Sequence, residues 1–126
     1  MAYTLTITEN PSYLHIIVTG KNSKRAVMEY LQEVLRECIA RQYKKVLIEE
    51  CLEGPRLDMG SVFDIAKQGS QDALGYFDAI AYVDVNAKGD LMKVAETVAV
   101  NRGLPVAVFH SVAEAENWLN KLVLEG

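Results

Sequence analysis

Hydrophobic and polar positions alternate one by one at the start of the chain and later recur every three to four residues, and this change of period divides it into strands and helices. From Tyr3 to Thr8 the order Tyr, Thr, Leu, Thr, Ile, Thr predicts a strand with one buried face. Glu9-Asn10-Pro11-Ser12 reads as a turn. Tyr13-Leu14-His15-Ile16-Ile17-Val18, rich in β-branched and aromatic side chains, is the second strand, ended by Thr19-Gly20. So short a connection predicts an antiparallel hairpin.

The period then lengthens. Val27, Tyr30, Leu31, Val34, Leu35, Cys38 and Ile39 form the stripe of an amphipathic helix that starts near Asn22 or Ser23 and ends around Arg41. Val46-Leu47-Ile48 is a buried strand that runs through Glu49, Glu50 and Cys51 into a loop. A second helix follows, with Val62, Ile65 and Ala66 on one side and Gly69 near its end. Asp78 to Val83 is a strand, and Asp90 precedes a helix carrying Leu91, Val94, Ala95, Val98 and Ala99, which Gly103 closes. Pro105 to Phe109 is a short strand. Ser111 and Glu114 form a capping-box signature for a last helix whose Ala115, Trp118, Leu119 and Leu122 face the core. The order β-β-α-β-α-β-α-β-α predicts an α/β fold, a mixed five-stranded sheet with an N-terminal antiparallel hairpin and four helices. A doubly wound parallel sheet without the opening hairpin is the alternative.

Composition narrows the class. The 126 residues, 50% hydrophobic and 24% charged, suit one folded domain spanning 1–126, with no linker, repeat or low-complexity tract. A net charge of −4 argues against a broad nucleic-acid surface. Lys44-Lys45 reads instead as the basic end of the first long helix. The N-terminus has no charged and apolar leader pattern and no run reaches membrane-spanning length, so a cytoplasmic protein without a transmembrane segment is expected. Cys38 and Cys51 read as free thiols, without metal-ligand spacing.

Polar groups concentrate where the third strand passes into the second helix, the position at which open α/β sheets place their sites. Asp58, Gly60 and Ser61, with Arg56 beside them, could offer helix-start amides to an anion, but an Asp58 carboxylate that caps those amides would exclude it, and capping is the expected role. Glu49, Glu50, Asp58 and Asp84 are candidate oxygen ligands for Mg²⁺ whose spacing is not diagnostic; solvated acids are expected, with no metal and no cofactor. His15 and His110 lack a nucleophile signature. No Gly-x-Ser-x-Gly elbow, Gly-x-Gly-x-x-Gly or Walker A sequence is present, so no catalytic residue is assigned.

The hairpin, the polar loop before the second helix and the stretch from Asp78 to Leu119, with Val108-Phe109 and Ala113-Glu114-Ala115-Glu116-Asn117-Trp118-Leu119, resemble the STAS family of anti-sigma-factor-antagonist type, and most nearly the SpoIIAA-like bacterial proteins. Phospho-switch members carry Asp, Ser, Ser or Thr, then Gly at the start of the second helix, and the serine after the aspartate is modified. Here Met59 follows Asp58 and Ser61 is the nearby hydroxyl, so the resemblance implies Ser61 as the position for phosphorylation. The likeness of SpoIIAA-like members to a lipid-binding fold implies an apolar ligand or a peripheral membrane contact. Met59, Val62, Phe63, Tyr76 and Phe77 would line its pocket or patch, or else pack the core. The function expected is a non-enzymatic regulatory or interaction domain that recognises a protein partner or small ligand through Arg56, Asp58, Met59, Gly60, Ser61, Val62 and Phe63. A small apolar-ligand or lipid carrier whose second helix moves is the alternative. The Tyr3–Thr8 strand, placed at a sheet edge, offers a route to a homodimer.

Overall fold

The computed structural model describes residues 3–84 and 89–125, apart from the side chains of 89–91 and 122–125. Along these residues the elements run β1 (Tyr3–Glu9), β2 (Leu14–Lys21), α1 (Lys24–Arg41), β3 (Lys45–Glu53), α2 (Met59–Ala73), β4 (Ala79–Asp84), α3 (Gly89–Asn101), β5 (Val106–Phe109) and α4 (Val112–Glu125). They form one mixed sheet in the order β1-β2-β3-β4-β5, with β1 antiparallel to β2 and every other pair parallel. The hairpin-first α/β fold expected from the sequence is the one that forms. The inward faces expected of Leu91 and Leu122, and the side chain of Asp90, lie outside the described residues.

Local chemistry explains the element ends. Ser23 caps α1 by accepting from the Ala26 amide at 3.0 Å, and Gln42, in the left-handed region at φ 63°, stops it. Ser111 caps α4 through the Glu114 amide at 3.2 Å. Gly103 closes α3 with φ 88°, a conformation that costs glycine little. Two expectations are corrected nearby. Gly69 stands inside α2, not at its end, and the left-handed glycine after that helix is Gly75. Lys44 and Lys45 lie beyond α1: Lys44 sits over the Tyr76 ring at 5.0 Å and Lys45 opens β3.

The two faces of the sheet are covered differently. Leu14, Ile16, Val18, Val46, Ile48, Leu52 and Ile80 point to the side of α1, where Val27, Tyr30, Val34 and Cys38 are buried. Ile39 belongs to the expected stripe yet is 51% exposed, because one step past the inward Cys38 turns it about 100° round the helix. On the other side, among the described residues, α4 packs Ala115 and Leu119 on Leu47, Ala79, Ala81 and Val83. Beyond its reach the same side of the hairpin carries the exposed Thr4, Thr6, Thr8 and Thr19, and β1 forms an edge of the sheet. Among the described residues no helix is long and apolar enough to cross a membrane.

Candidate functional site

β3 is longer than its charged residues suggest, and this creates the site. Glu49, Glu50 and Cys51 were expected at the end of the strand, but β3 continues to Glu53, so all three stand within the sheet. Successive strand side chains point to opposite faces. Glu50 shares its face with Val46, Ile48 and Leu52 and is 3% exposed, whereas Glu49 turns to the other face and meets His15 Nε2 at 3.0 Å. Asp84, at the end of β4, is the register partner of Glu50. The four acids proposed from the sequence as metal ligands therefore do not converge, and among the described residues no group of three or more His, Cys, Asp and Glu is placed to hold a metal ion.

A buried carboxylate needs donors, and α1 and β4 supply them. The hydroxyls of Tyr30 and Tyr82 both donate to Glu50 Oε2, and the two oxygens lie 2.6 Å apart. Arg56 approaches Asp84 with Nη1 3.8 Å from Oδ1, while its Nη2 donates to the carbonyls of Leu52 and Gly54 at 2.9 and 3.1 Å. Burial and the neighbouring Asp84 push the Glu50 carboxyl up to about 7, against the opposing effect of the tyrosine donors. Burial, followed by the charge of Glu50, also holds both tyrosine hydroxyls well above their ordinary range.

This cluster closes one end of a cavity of about 180 Å³ between α2 and the sheet. α2 packs against α1 and α3 rather than against the strands, so it roofs a space instead of filling it. Val62, Ile65, Ala66 and Ala73 of α2 line the roof, Leu31 and Leu35 of α1 and Ala95 and Ala99 of α3 the sides, and Ile48, Ile80 and Val106 the floor. Ser70 is also in the lining, but its hydroxyl is satisfied by the Ala66 carbonyl at 2.6 Å. A cavity near 150 Å³ is of the order that admits a benzene-sized molecule.

The residues singled out in the sequence divide between this cavity and the outer surface. Arg56 and Val62 line it; Met59 and Phe63 are 58% and 41% exposed. Asp58 caps α2, accepting from the Ser61 amide at 2.7 Å, and this bond holds its carboxyl below the usual range. The amide that an anion would use is thus already engaged. Gly60 is exposed beside that cap and Ser61 is half-buried. Of the apolar residues flanking the loop, Phe77 also lines the cavity, whereas the Tyr76 hydroxyl donates to the carbonyls of Cys38 and Tyr43 at 3.1 and 2.9 Å. His110 is exposed beyond β5. Sequence reasoning missed the pairing of Tyr30 and Tyr82 with Glu50. A signal was present: Val46, Ile48, Glu50 and Leu52 keep one parity, as do Ile80, Tyr82 and Asp84, which puts the polar groups on the core face.

No family model and no curated protein matches the chain. Among solved structures, the NMR structure of the protein TM1081 is similar, at 14% identity over 91% of this chain and 87% of that one, with a TM-score of 0.49.

Proposed function

We propose that this chain is a non-enzymatic binding domain of the STAS type that holds a small, largely apolar ligand between α2 and the sheet. The carrying observation is the cavity of about 180 Å³ with apolar walls and one polar end. α2 is the element to move on loading. It rests on two helices, and the segments before and after it carry Gly54 and Gly75 at φ 107° and 82°, backbone positions suited to absorbing a rotation. A cytoplasmic setting is part of the same reading, supported by Cys38 and Cys51 standing as free thiols.

Native mass spectrometry of freshly purified protein is the first test, with a bound apolar molecule expected. Ethylbenzene then serves as a defined probe: amide shifts should concentrate at Ala66, Ala73, Ile80 and Val106, and Ala66→Phe should abolish them. Shifts scattered over the surface, or surviving that substitution, would remove the cavity from consideration.

A second reading, recognition of a protein partner through Arg56 to Phe63, draws on the exposure of Met59 and Phe63. A pulldown in which Arg56→Glu and Phe63→Ala leave every partner bound would exclude it. Phosphorylation of Ser61 belongs to this reading, as a means of altering that surface.

A further inference from the structure

We propose that two copies of this chain pair through the free edge of β1, antiparallel about a two-fold axis at Thr6, so that their two five-stranded sheets join into one. The two edges of the sheet differ. β5 has four residues, and its outward amides are already taken: the Val106 amide donates to the Leu104 carbonyl at 2.9 Å and the Val108 amide to the Glu96 carboxylate at 2.7 Å. β1 has seven residues and pairs with β2 along its whole length without a bulge. Alternate main-chain groups of an antiparallel edge strand point away from its neighbour, and among the described residues those of β1 meet no backbone partner. Lysine, proline and bulges, the usual means of keeping an edge from pairing, are missing from Tyr3 to Glu9.

The order of side chains in β1 identifies the partner as a second copy. With Thr6 opposite Thr6, the two-fold axis sets Thr4 against Thr8, Leu5 against Ile7 and Tyr3 against Glu9. One face then carries a row of Thr–Thr pairs, suited to the exposed side of the hairpin. On the other face Leu5 and Ile7, half-buried where they pack against the core, cover each other across the axis. α1 lies above that face. Its Glu33 accepts from the Tyr3 hydroxyl at 2.7 Å, and its Arg41 bonds Glu9 at 2.6 Å and Glu37 at 3.0 Å. The two-fold axis therefore brings the Arg41 end of each copy to the Glu33 end of the other, opposite charges at both junctions. Seven residues a side fall short of the roughly 20–30 of a standard interface, so the pair is weak, with a dissociation constant in the micromolar range or above.

Sedimentation velocity from low micromolar to near-millimolar protein should show a monomer–dimer equilibrium, and exchange of the outward β1 amides should slow as concentration rises. Thr6→Lys, exposed in the monomer and opposite itself in the pair, should weaken dimerisation by about fivefold or more through like-charge repulsion. Thr19→Lys, on the same face but on β2, should leave it unchanged. Cysteine reads the register: in a Cys51→Ser background, mild oxidation of Thr6→Cys should give a disulfide-linked dimer, since directly opposed β-carbons lie about 4.5–5.5 Å apart, and Thr4→Cys should not. Urea midpoints near that of the wild-type chain show that each variant is folded. A chain that stays monomeric throughout, or a dimer that Thr6→Lys leaves intact, would overturn the proposal, as would cross-linking at Thr4→Cys and not at Thr6→Cys. No residue of β1 lines the cavity, so each of these outcomes is independent of the ligand reading.

Discussion

The two faces of the sheet solve the same packing problem in opposite ways. On the α4 side, Ala79, Ala81 and Ala115 let the helix sit close enough for Leu119 to reach full burial against Leu47 and Val83. On the other side three helices share a wider surface. The middle one is held off the strands, and a buried Glu50 with two tyrosines stands where hydrocarbon would otherwise continue. Close packing on one face gives the sheet a rigid back, which allows the opposite face to keep a space and a buried ionisable group.

The largest expected effect tests that asymmetry directly. Leu119→Ala should cost about 3 kcal/mol or more, because its neighbours are fixed strands that cannot collapse into the gap. Val62→Ala, on a residue that already borders the cavity, should cost less than about 1 kcal/mol, since fewer contacts are lost. Urea denaturation of the two variants measures both. Equal losses would mean that the cavity face is packed as tightly as the α4 face.

The next effect depends on pH. The Glu50 carboxyl lies near 4.5 when unfolded and is raised to about 7 in the fold. Between these values the folded state keeps a proton that the unfolded state has lost. The contribution of Glu50 is therefore fully present below 4.5 and is lost as pH rises through 7. The difference amounts to about 3 kcal/mol at about 1.4 kcal/mol per pH unit. Denaturation midpoints measured at pH 5 and pH 8 should separate more in the wild-type chain than in Glu50→Gln. An unchanged separation would place the Glu50 side chain in water rather than between the tyrosines.

The order of elements was legible in the sequence because it depends on periods. Ser23, Gly103 and the Ser111–Glu114 pair marked ends for reasons local to the backbone. The site was only half legible. Asp58 was readable as a cap, since its partner is three residues away. The Tyr30–Glu50–Tyr82 cluster was not, since its members are 20 and 32 residues from Glu50 and meet only through the register of β3 with β4 and the crossing of α1. Charge at Glu49 and Glu50 suggested a strand end, and tertiary burial overrode that propensity. Ile39 shows the same limit: periodicity finds a stripe, but the position of the neighbouring elements decides which residues at its margin are covered.

The caps of the two helices allow a matched comparison of about 1 kcal/mol each. Asp58→Ala removes the bond to the Ser61 amide at the start of α2, and Ser111→Ala removes the one to the Glu114 amide at the start of α4. Similar losses of stability are expected from both. Only the first should speed amide exchange along α2 and quicken the entry of ethylbenzene, because only α2 covers a space. A faster entry in both variants would show that the path to the cavity does not run under α2.

The smallest effect is a gain. Gly69 lies in the interior of α2, where a β-carbon would meet only Leu31 Cδ1 at 3.8 Å, an ordinary van der Waals contact. Alanine there should stabilise the chain by about 0.5–1 kcal/mol, since glycine is the poorer helix former and has more backbone freedom to lose on folding. The added methyl also joins α2 more closely to α1, one of the two helices that carry it. Stability should therefore rise while exchange of ethylbenzene slows, with its affinity little changed. A slower exchange would place the opening motion between α1 and α2. A stabilised chain with unaltered exchange would place it between α2 and α3, where Ala95 and Ala99 line the opposite wall.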